Sequence, residues 1–222
     1  MPISQVRVGP LTNNPDNSTP DQLAGKSGEI IVSDLHGKWY QQAVRGNVYY
    51  MSTVSAGLAI PIDTTTAPRV MLWNPTGSGK NAELIRFSAA QVSGTAVATP
   101  VGLQGIANVG SSTAGTSAIS AFAQNVFGTN TYNAVFGGPN NSAMKSSSQG
   151  TNTVLAVTAW LHTMFGTSAM VSTSQANNPH QLVYDFDGTF VLAPGNAIFV
   201  TATAASVALF AQTLVWAEVP VL

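Results

Sequence analysis

The motif closest to known chemistry is Gly77-Ser78-Gly79-Lys80, which has the form of the end of a phosphate-binding loop. Such a loop requires G-x-x-x-x-G-K-[ST], in which glycines cradle the phosphates and the hydroxyl binds magnesium. Here Asn74 occupies the position of the first glycine, and Asn81 follows the lysine. Ala82 to Phe87 are predicted as a strand, whereas the motif needs a helix. We interpret the segment as a Gly-rich β-hairpin loop and expect no nucleotide binding.

The three histidines, His36, His162 and His180, are far apart and show none of the short spacings of a local zinc site. The chain has no cysteine, which excludes disulfides, thiolate metal sites and cysteine nucleophiles. A triad of His180, Asp185 and a serine is conceivable. However, no Gly-x-Ser-x-Gly elbow presents a nucleophile. His162 follows Trp160 in an apolar run, which favours a hydrogen-bonded core or interface residue.

Asp185 and Asp187 are two residues apart and would share one face of a regular strand, where they could bind a cation or act as paired carboxylates. A calcium site needs about six or more oxygen ligands, and only two acids cluster here. Asp187-Gly188 is more simply a turn, since glycine readily adopts positive φ. We therefore expect no metal, no cofactor and no enzymatic activity.

Four tryptophans, Trp39, Trp73, Trp160 and Trp216, lie in predicted strands, where their large side chains suit a sandwich core or a subunit interface. A carbohydrate platform is the alternative, but it usually needs accompanying polar and acidic residues. The candidate interface residues are Trp160, His162, Met164, Phe165 and Trp216.

Short apolar runs separated by turn residues predict the elements that position these side chains. The predicted strands are Glu29 to Asp34, Lys38 to Val44, Asn47 to Thr53, Leu58 to Ile62, Arg69 to Trp73, Ala82 to Phe87, Thr153 to Phe165, Gln181 to Phe186, Thr189 to Leu192, Ala197 to Ala202 and Ser206 to Glu218. Arg45-Gly46, Asp187-Gly188 and Pro194-Gly195-Asn196 are the predicted turns. Many short strands with little helix indicate a sandwich or a barrel.

Two regions differ from this pattern. Residues 1–28 contain Pro10, Pro15 and Pro20 among polar residues, which predicts an extended N-terminal arm. The arm is either a flexible tail or a segment that orders on a neighbouring subunit. Residues 29–222 are predicted as one β-sandwich domain with a loop-rich insertion around 88–150, rich in Gly, Ser, Thr and Asn. Within the insertion, Ser117 to Val126 has the spacing of a short helix.

Charge is scarce: Asp, Glu, Lys and Arg make up 8% of the chain, against about 25% for an average soluble domain. Between Phe87 and Tyr184 the only such residue is Lys145. Charged residues are depleted at the cores of interfaces, so this stretch indicates surfaces that a partner covers. A neutral polar surface of a secreted β-protein is the alternative.

The remaining composition argues against two classes of partner. The net charge is −1 and the eight basic residues form no run, so nucleic-acid binding is not expected. No apolar run approaches the ~20 residues that span a membrane, and the first residues lack the pattern of a signal peptide. We expect a soluble protein made in the cytoplasm.

Two segments resemble virion structural proteins of tailed bacteriophages. The first comprises Leu58 to Ile62 followed by Val70-Met71-Leu72-Trp73-Asn74-Pro75-Thr76-Gly77-Ser78-Gly79-Lys80-Asn81. The second, Leu192 to Val200 through Val215-Trp216-Ala217-Glu218-Val219-Pro220, is similar to the closing strands of jelly-roll domains in phage and trimeric β-proteins. The resemblance covers residues 29–87 and 181–222. It implies an all-β, jelly-roll-like β-sandwich, acting as a capsid decoration (cement) protein without catalytic residues.

From this resemblance we expect a homotrimer that binds the major capsid protein and stabilises the head shell of a virion. A tail, baseplate or fibre component that binds a host receptor is the second reading. A virion glycan hydrolase is the third, and it would need a cleft with two carboxylates.

Overall fold

The computed structural model describes residues 37–63, 69–107, 131–135, 137–138, 141–147, 159–167, 170–171 and 181–221. The chain divides into two compact units, Met1–Tyr40 and Gln41–Leu222. In the first unit the description covers 37–40, where the Lys38 ammonium lies 5.2 Å from the centroid of the Trp39 ring. Every described strand belongs to the second unit.

The described residues form one short helix and thirteen strands, many of them rich in the β-branched and aromatic residues that suit a pleated backbone. The elements are α1 (Tyr40–Val44), β1 (Val48–Ser52), β2 (Leu58–Ala59), β3 (Met71–Asn74), β4 (Lys80–Ser93), β5 (Thr95–Ala96), β6 (Thr99–Ile106), β7 (Thr131–Asn133), β8 (Lys145–Ser147), β9 (Ala159–Thr167), β10 (Met170–Val171), β11 (Gln181–Leu192), β12 (Asn196–Ala202) and β13 (Leu209–Pro220).

The strands form two main antiparallel sheets. The first sheet has the order β11-β4-β13-β1-β7, with β2 also paired to β13. The second sheet has the order β8-β3-β12-β6-β9, and β10 and β5 make a separate two-stranded ribbon. One buried cluster contains side chains from both sheets, so the sheets pack face to face as a sandwich.

Eight strands are wound as a jelly roll. β1 pairs with β13, β3 with β12, β4 with β11 and β6 with β9, so that the first strand pairs with the last and the pairing proceeds inwards. Rolling up such a long hairpin also brings β4 against β13 and β6 against β12. Successive pairs fall in alternate sheets, which is the double-sheet arrangement of a jelly roll. The predicted all-β, jelly-roll-like β-sandwich is confirmed.

The core lies between the sheets and comes from side chains that alternate along the strands. Its members include Leu84, Phe87, Phe210, Leu214 and Trp216 from the first sheet and Leu72, Val101, Leu103, Ile198 and Val200 from the second. These side chains are all 2% exposed or less. Removal of this apolar surface from water is the main favourable contribution to folding.

The strand prediction for Lys38 to Val44 is wrong, because Tyr40–Val44 forms the helix α1. The Gly46 N–H donates to the Ala43 carbonyl at 2.9 Å, and Gly46 has a φ of 76°. A glycine in the left-handed region is a common end to a helix. Arg45-Gly46 is therefore a helix terminus rather than a hairpin turn, and Trp39 precedes the helix instead of lying in a strand.

Residues 88–106 were predicted as part of the loop-rich insertion, yet they are largely strand. β4 continues to Ser93, and β6 lies inside the second sheet between β12 and β9. The connection between β6 and β9 contains the added strands β7 and β8, which extend the sheets beside β1 and β3. The alternating pattern is weak in β6 because most of its residues are buried on both faces.

Several predicted features lie outside the described residues. They are the arm 1–28, the strand Glu29 to Asp34, the helix Ser117 to Val126, and the side chains of His36 and His180.

A buried carboxylate connects the two sheets. Glu218 on β13 is 1% exposed, and its Oε2 accepts hydrogen bonds from Lys80 Nζ at 3.0 Å and the Ala143 N–H at 3.1 Å. Its Oε1 accepts from Ser142 Oγ at 2.6 Å and the Met144 N–H at 3.3 Å. A buried charge is tolerated only when it is paired and hydrogen-bonded. Glu218 therefore holds the segment that leads into β8 against the first sheet.

Replacement of Glu218 by Gln should lower the free energy of unfolding by about 2–3 kcal/mol, because hydrogen bonds to a charged acceptor are lost and an amide N–H₂ then faces other donors. Urea denaturation followed by tryptophan fluorescence measures the change. The matched control is Glu83→Gln on β4, which should shift stability by no more than about 0.5 kcal/mol. Equal effects of the two substitutions would contradict the role of Glu218.

Candidate interface at the open edge of the sandwich

Four candidate interface residues lie on β9, at one edge of the sandwich. β9 is the outermost strand of the second sheet and β11 of the first. Both lie on the same side, since His162 Nε2 on β9 is 2.7 Å from Tyr184 Oη on β11. At the opposite side β7 and β8 are outermost, and the hydroxyls of Thr131 and Ser146 join them. We call the β9–β11 side the open edge, because no strand continues either sheet there within the described residues.

An aromatic cluster fills the space between β9 and β11. The His162 ring lies 5.2 Å from the Tyr184 ring and 5.8 Å from the Phe186 ring, measured between centroids. Tyr184 and Phe186 meet edge to face at 5.0 Å. Tyr184 faces inwards because it pairs with the core residue Phe87 on β4. The cluster therefore joins β9 to β11 through ring contacts and one hydrogen bond. His162 is hydrogen-bonded, as the sequence analysis predicted.

The other predicted residues of β9 differ in exposure because two register shifts interrupt its pairing with β6. Met164 is 7% exposed and belongs to the core. Phe165 is half-buried and stacks on Phe87 at 5.9 Å between centroids. Trp160 is half-buried, and its Nε1–H donates to Thr163 Oγ1 at 3.1 Å. Trp160, His162 and Phe165 thus keep part of their surface accessible.

Trp216 is a core residue. It is fully buried, and its ring stacks on Tyr49 with the centroids 6.2 Å apart. Its pairing with Leu84 on one side and Tyr49 on the other places it at the centre of the first sheet. The sequence analysis did not decide whether Trp216 lies in the core or at an interface. The structure places it in the core, where it has no surface to offer a partner.

An apolar cleft of about 380 Å³ opens beside the cluster, a feature that the sequence analysis missed. Leu161 forms part of its wall and is 47% exposed. The cleft has no charged residue in its lining, which is Gly105, Ile106, Ala107, Ala159, Leu161, Phe190, Val191, Leu192, Ala193, Asn196, Ala197 and Ile198. Leu161 points here because a register shift between Trp160 and His162 breaks the alternation of β9. The spacing of apolar residues in the sequence does not reveal such a shift in strand pairing.

The apparent phosphate-binding segment has a structural role. It connects β3 and β4, which belong to different sheets, so the predicted hairpin is wrong. Asn74 is fully buried and donates to the carbonyls of Lys80 and Leu192, both at 2.8 Å. Ser78 Oγ donates to Asn74 Oδ1 at 2.6 Å, and the Lys80 ammonium pairs with Glu218. The lysine and the hydroxyl are thus engaged inside the protein.

The paired-carboxylate hypothesis is not supported by the geometry of β11. Asp185 forms an exposed ion pair with Arg86, at 2.5 Å between Oδ1 and Nε, and this contact raises the pKa of Arg86. Asp187 has a φ of 54° and Gly188 a φ of 81°, and they form a bulge within one strand rather than a turn between two. Asp187 therefore lies outside the regular strand pairing on which the hypothesis depended, and Asp185 is engaged by Arg86.

The buried Tyr49 hydroxyl lies close to the Glu218 carboxylate. Burial raises the pKa of the Tyr49 hydroxyl, and the nearby Glu218 carboxylate raises it further, while Lys80 and a hydrogen bond with Asn133 oppose the shift. Tyr49 therefore stays protonated and neutral beside Glu218. Among the residues that the structure describes, no group of three or more His, Asp or Glu side chains could hold a metal ion.

Within the same residues, no helix is long and apolar enough to cross a membrane. Comparison with known proteins gave no match: no protein-family model, no curated protein and no solved structure matches this chain.

The bond between His162 and Tyr184 predicts the effect of Tyr184→Phe. The variant keeps the ring contacts but loses one hydrogen bond and leaves a half-buried imidazole nitrogen unpaired, which should cost about 1 kcal/mol of unfolding free energy. Chemical denaturation measures this loss. Tyr132→Phe is the control, because Tyr132 is 50% exposed and should tolerate the same change. A Tyr184 variant as stable as the wild type would show that the bond adds nothing.

Gly102 on β6 gives a second prediction for the open edge. A Cβ at this position would lie 2.2 Å from the His162 carbonyl oxygen and 2.5 Å from the Trp160 ring, so Gly102→Ala must displace β9. We expect a loss of about 1–3 kcal/mol, the usual cost of overpacking. Gly166→Ala on β9 is the control, since its nearest neighbour would be 3.9 Å away. Thermal unfolding of both variants tests this, and equal melting temperatures would contradict it.

Proposed function

We propose that this chain is a structural protein of a virus particle, a capsid decoration protein that forms homotrimers and binds the major capsid protein of a tailed-bacteriophage head. The observation that carries the proposal is a sparsely charged, partly apolar surface on a jelly-roll body. Residues 88–183 contain one charged side chain, Lys145. In the fold these residues supply β9 and five of the twelve residues that line the cleft at the open edge.

A surface with few charges and several exposed apolar side chains favours permanent contact with a partner over exposure to solvent. Leu161, Val183 and Val191 are each close to half exposed along the open edge. Association that buries apolar side chains is favourable without any need to match charges. Jelly-roll sandwiches are, in addition, an architecture that viral capsid domains use. A structural role needs no catalytic step, cofactor or nucleic acid, and none is proposed.

The proposed mechanism is thermodynamic linkage between binding of this protein and assembly of the shell. Pressure from the packaged genome pulls shell subunits apart, and a protein that bridges several assembled subunits binds the intact shell but not its separated parts. Binding of that kind stabilises the assembled state by mass action. Because the contacts are mainly uncharged, screening by salt should weaken them little.

The test uses particles of the virus that encodes this chain. Heads and tails are separated, and the number of copies of the chain in each is measured by mass spectrometry. Heads stripped of the chain are then heated with and without purified protein, and release of DNA is followed with a dye. We expect the chain in heads, a higher release temperature on its addition, and a shift that persists in about 0.5 M salt.

Two outcomes would overturn this proposal. Absence of the chain from purified particles would exclude a virion role. Its presence in tails alone would support a receptor-binding tail or baseplate component instead.

A further inference from the structure

Two buried oxygen atoms of the second sheet have no hydrogen-bond partner among the described residues. They are Oγ1 of Thr201 on β12 and Oε1 of Gln104 on β6. Thr201 is fully buried, and Gln104 is 5% exposed. Buried polar atoms of native proteins nearly always have a partner in the protein or in ordered water, so these two atoms require an explanation.

The strand pairing places the two side chains on the same face of the sheet. Thr201 lies opposite Gly102, two residues before Gln104 on β6. The intervening residues Leu103 and Val200 belong to the core between the sheets. Because side chains alternate along a strand, Gln104 and Thr201 project from the face that is turned away from the first sheet. Diagonal neighbours of this kind have Cα atoms roughly 7–8 Å apart, and long side chains can approach more closely.

Asp63 holds the Gln104 carboxamide near Thr201. Gln104 Nε2 donates to the Asp63 carbonyl at 3.0 Å. The Asp63 N–H donates to the carbonyl of Ala202, the residue after Thr201, at 2.7 Å. A flipped amide would place Oε1 against the Asp63 carbonyl, where neither atom could donate, so the contact itself assigns the nitrogen. Oε1 is therefore left as an acceptor on the Thr201 side of the sheet.

Aromatic side chains flank these two oxygens. Phe199 is 1% exposed, lies opposite Gln104, and shares a face of β12 with Thr201. The Trp160 ring lies over Gly102, since a Cβ at this glycine would be 2.5 Å from the ring. In such apolar surroundings a hydroxyl or amide oxygen is costly to leave without a hydrogen bond. The site therefore favours a small molecule that can both accept and donate.

We propose that this site binds one ordered water molecule. Thr201 Oγ1–H donates to the water, which donates to Gln104 Oε1 and to the second lone pair of the Asp63 carbonyl. About three hydrogen bonds are typical of an internal water. A calcium ion is disfavoured, because these three oxygens are uncharged, whereas calcium takes six to eight oxygen ligands that include carboxylates. The water joins Asp63 to β6 and β12, and the inference does not depend on the proposed virion role.

A crystal structure of the full chain, at a resolution that shows ordered water, tests the site directly. We expect one density peak within about 3 Å of Thr201 Oγ1, Gln104 Oε1 and the Asp63 carbonyl oxygen. Lack of a peak overturns the inference, as does a direct hydrogen bond between Thr201 and Gln104. A peak with six or more oxygen ligands at about 2.3–2.6 Å is a cation and overturns it as well.

Thr201→Val tests the water through stability, because it replaces the hydroxyl by a methyl group. We expect the equilibrium constant for unfolding, measured in urea, to rise about five- to tenfold as hydrogen bonds to the water are lost. An unchanged or lower constant means that the hydroxyl binds nothing, and it overturns the inference. Thr167→Val is the control that should rise in either case, since the buried Thr167 hydroxyl donates to the Thr99 carbonyl at 3.2 Å.

A double-mutant cycle with Gln104→Met tests whether the two side chains share one water. Once Gln104→Met has removed the water, Thr201→Val should leave the unfolding constant unchanged or lower it. An equal rise in both backgrounds means that the two oxygens act independently, which contradicts a shared water. Circular dichroism establishes that each variant is folded, and the crystal structure of the wild type decides the question if Gln104→Met is not.

Discussion

The pairing of β4 with β13 is the contact on which the rest of the sandwich depends. It runs from Leu209 opposite Ser93 to Pro220 opposite Lys80, and these two strands carry β11 on one side and β1 on the other. Because β4 and β13 are far apart in sequence, formation of this ladder closes a long loop. Closing such a long loop costs entropy before any long-range contact repays it. Folding should therefore be governed by non-local pairing, as in other all-β sandwiches.

The same two strands explain how a chain with so little charge places one carboxylate in its interior. Glu218 and Lys80 lie on the adjacent strands β13 and β4, at the end of their ladder. Ser142 and two backbone N–H groups supply the other hydrogen-bond donors to the carboxylate. A hydrophobic pair of similar volume would often be at least as stable. The hydrogen-bonded carboxylate adds geometric specificity, because several of its donors come from the segment leading into β8. Glu218 thus fixes where the inserted chain returns to the second sheet.

Sequence patterns identified the fold class because alternation and turn chemistry act locally, and they failed where tertiary context decides. Gly46 signals a left-handed residue, but a strand pattern before it could not be told from the helix that Tyr40–Val44 forms. Asp187-Gly188 has turn chemistry, yet the sheet uses it as a bulge inside β11. Trp216 and Trp160 look alike in sequence, and only the strand order buries the first and half exposes the second. Leu161 was overlooked at the cleft because a register shift moved it off the expected face.

The treatment of the sheet edges bears on where association can occur. An unprotected edge strand invites indiscriminate pairing with other chains, and bulges or added cover are the usual remedies. Here β11 is bulged around Asp187, β9 is interrupted by two register shifts, and the outermost strands on the other side, β7 and β8, are only three residues long. Growth of the sheets by strand addition is thereby disfavoured at each edge that the described residues form. Any contact with another chain would then use side-chain surfaces rather than backbone hydrogen bonds at the sheet edges.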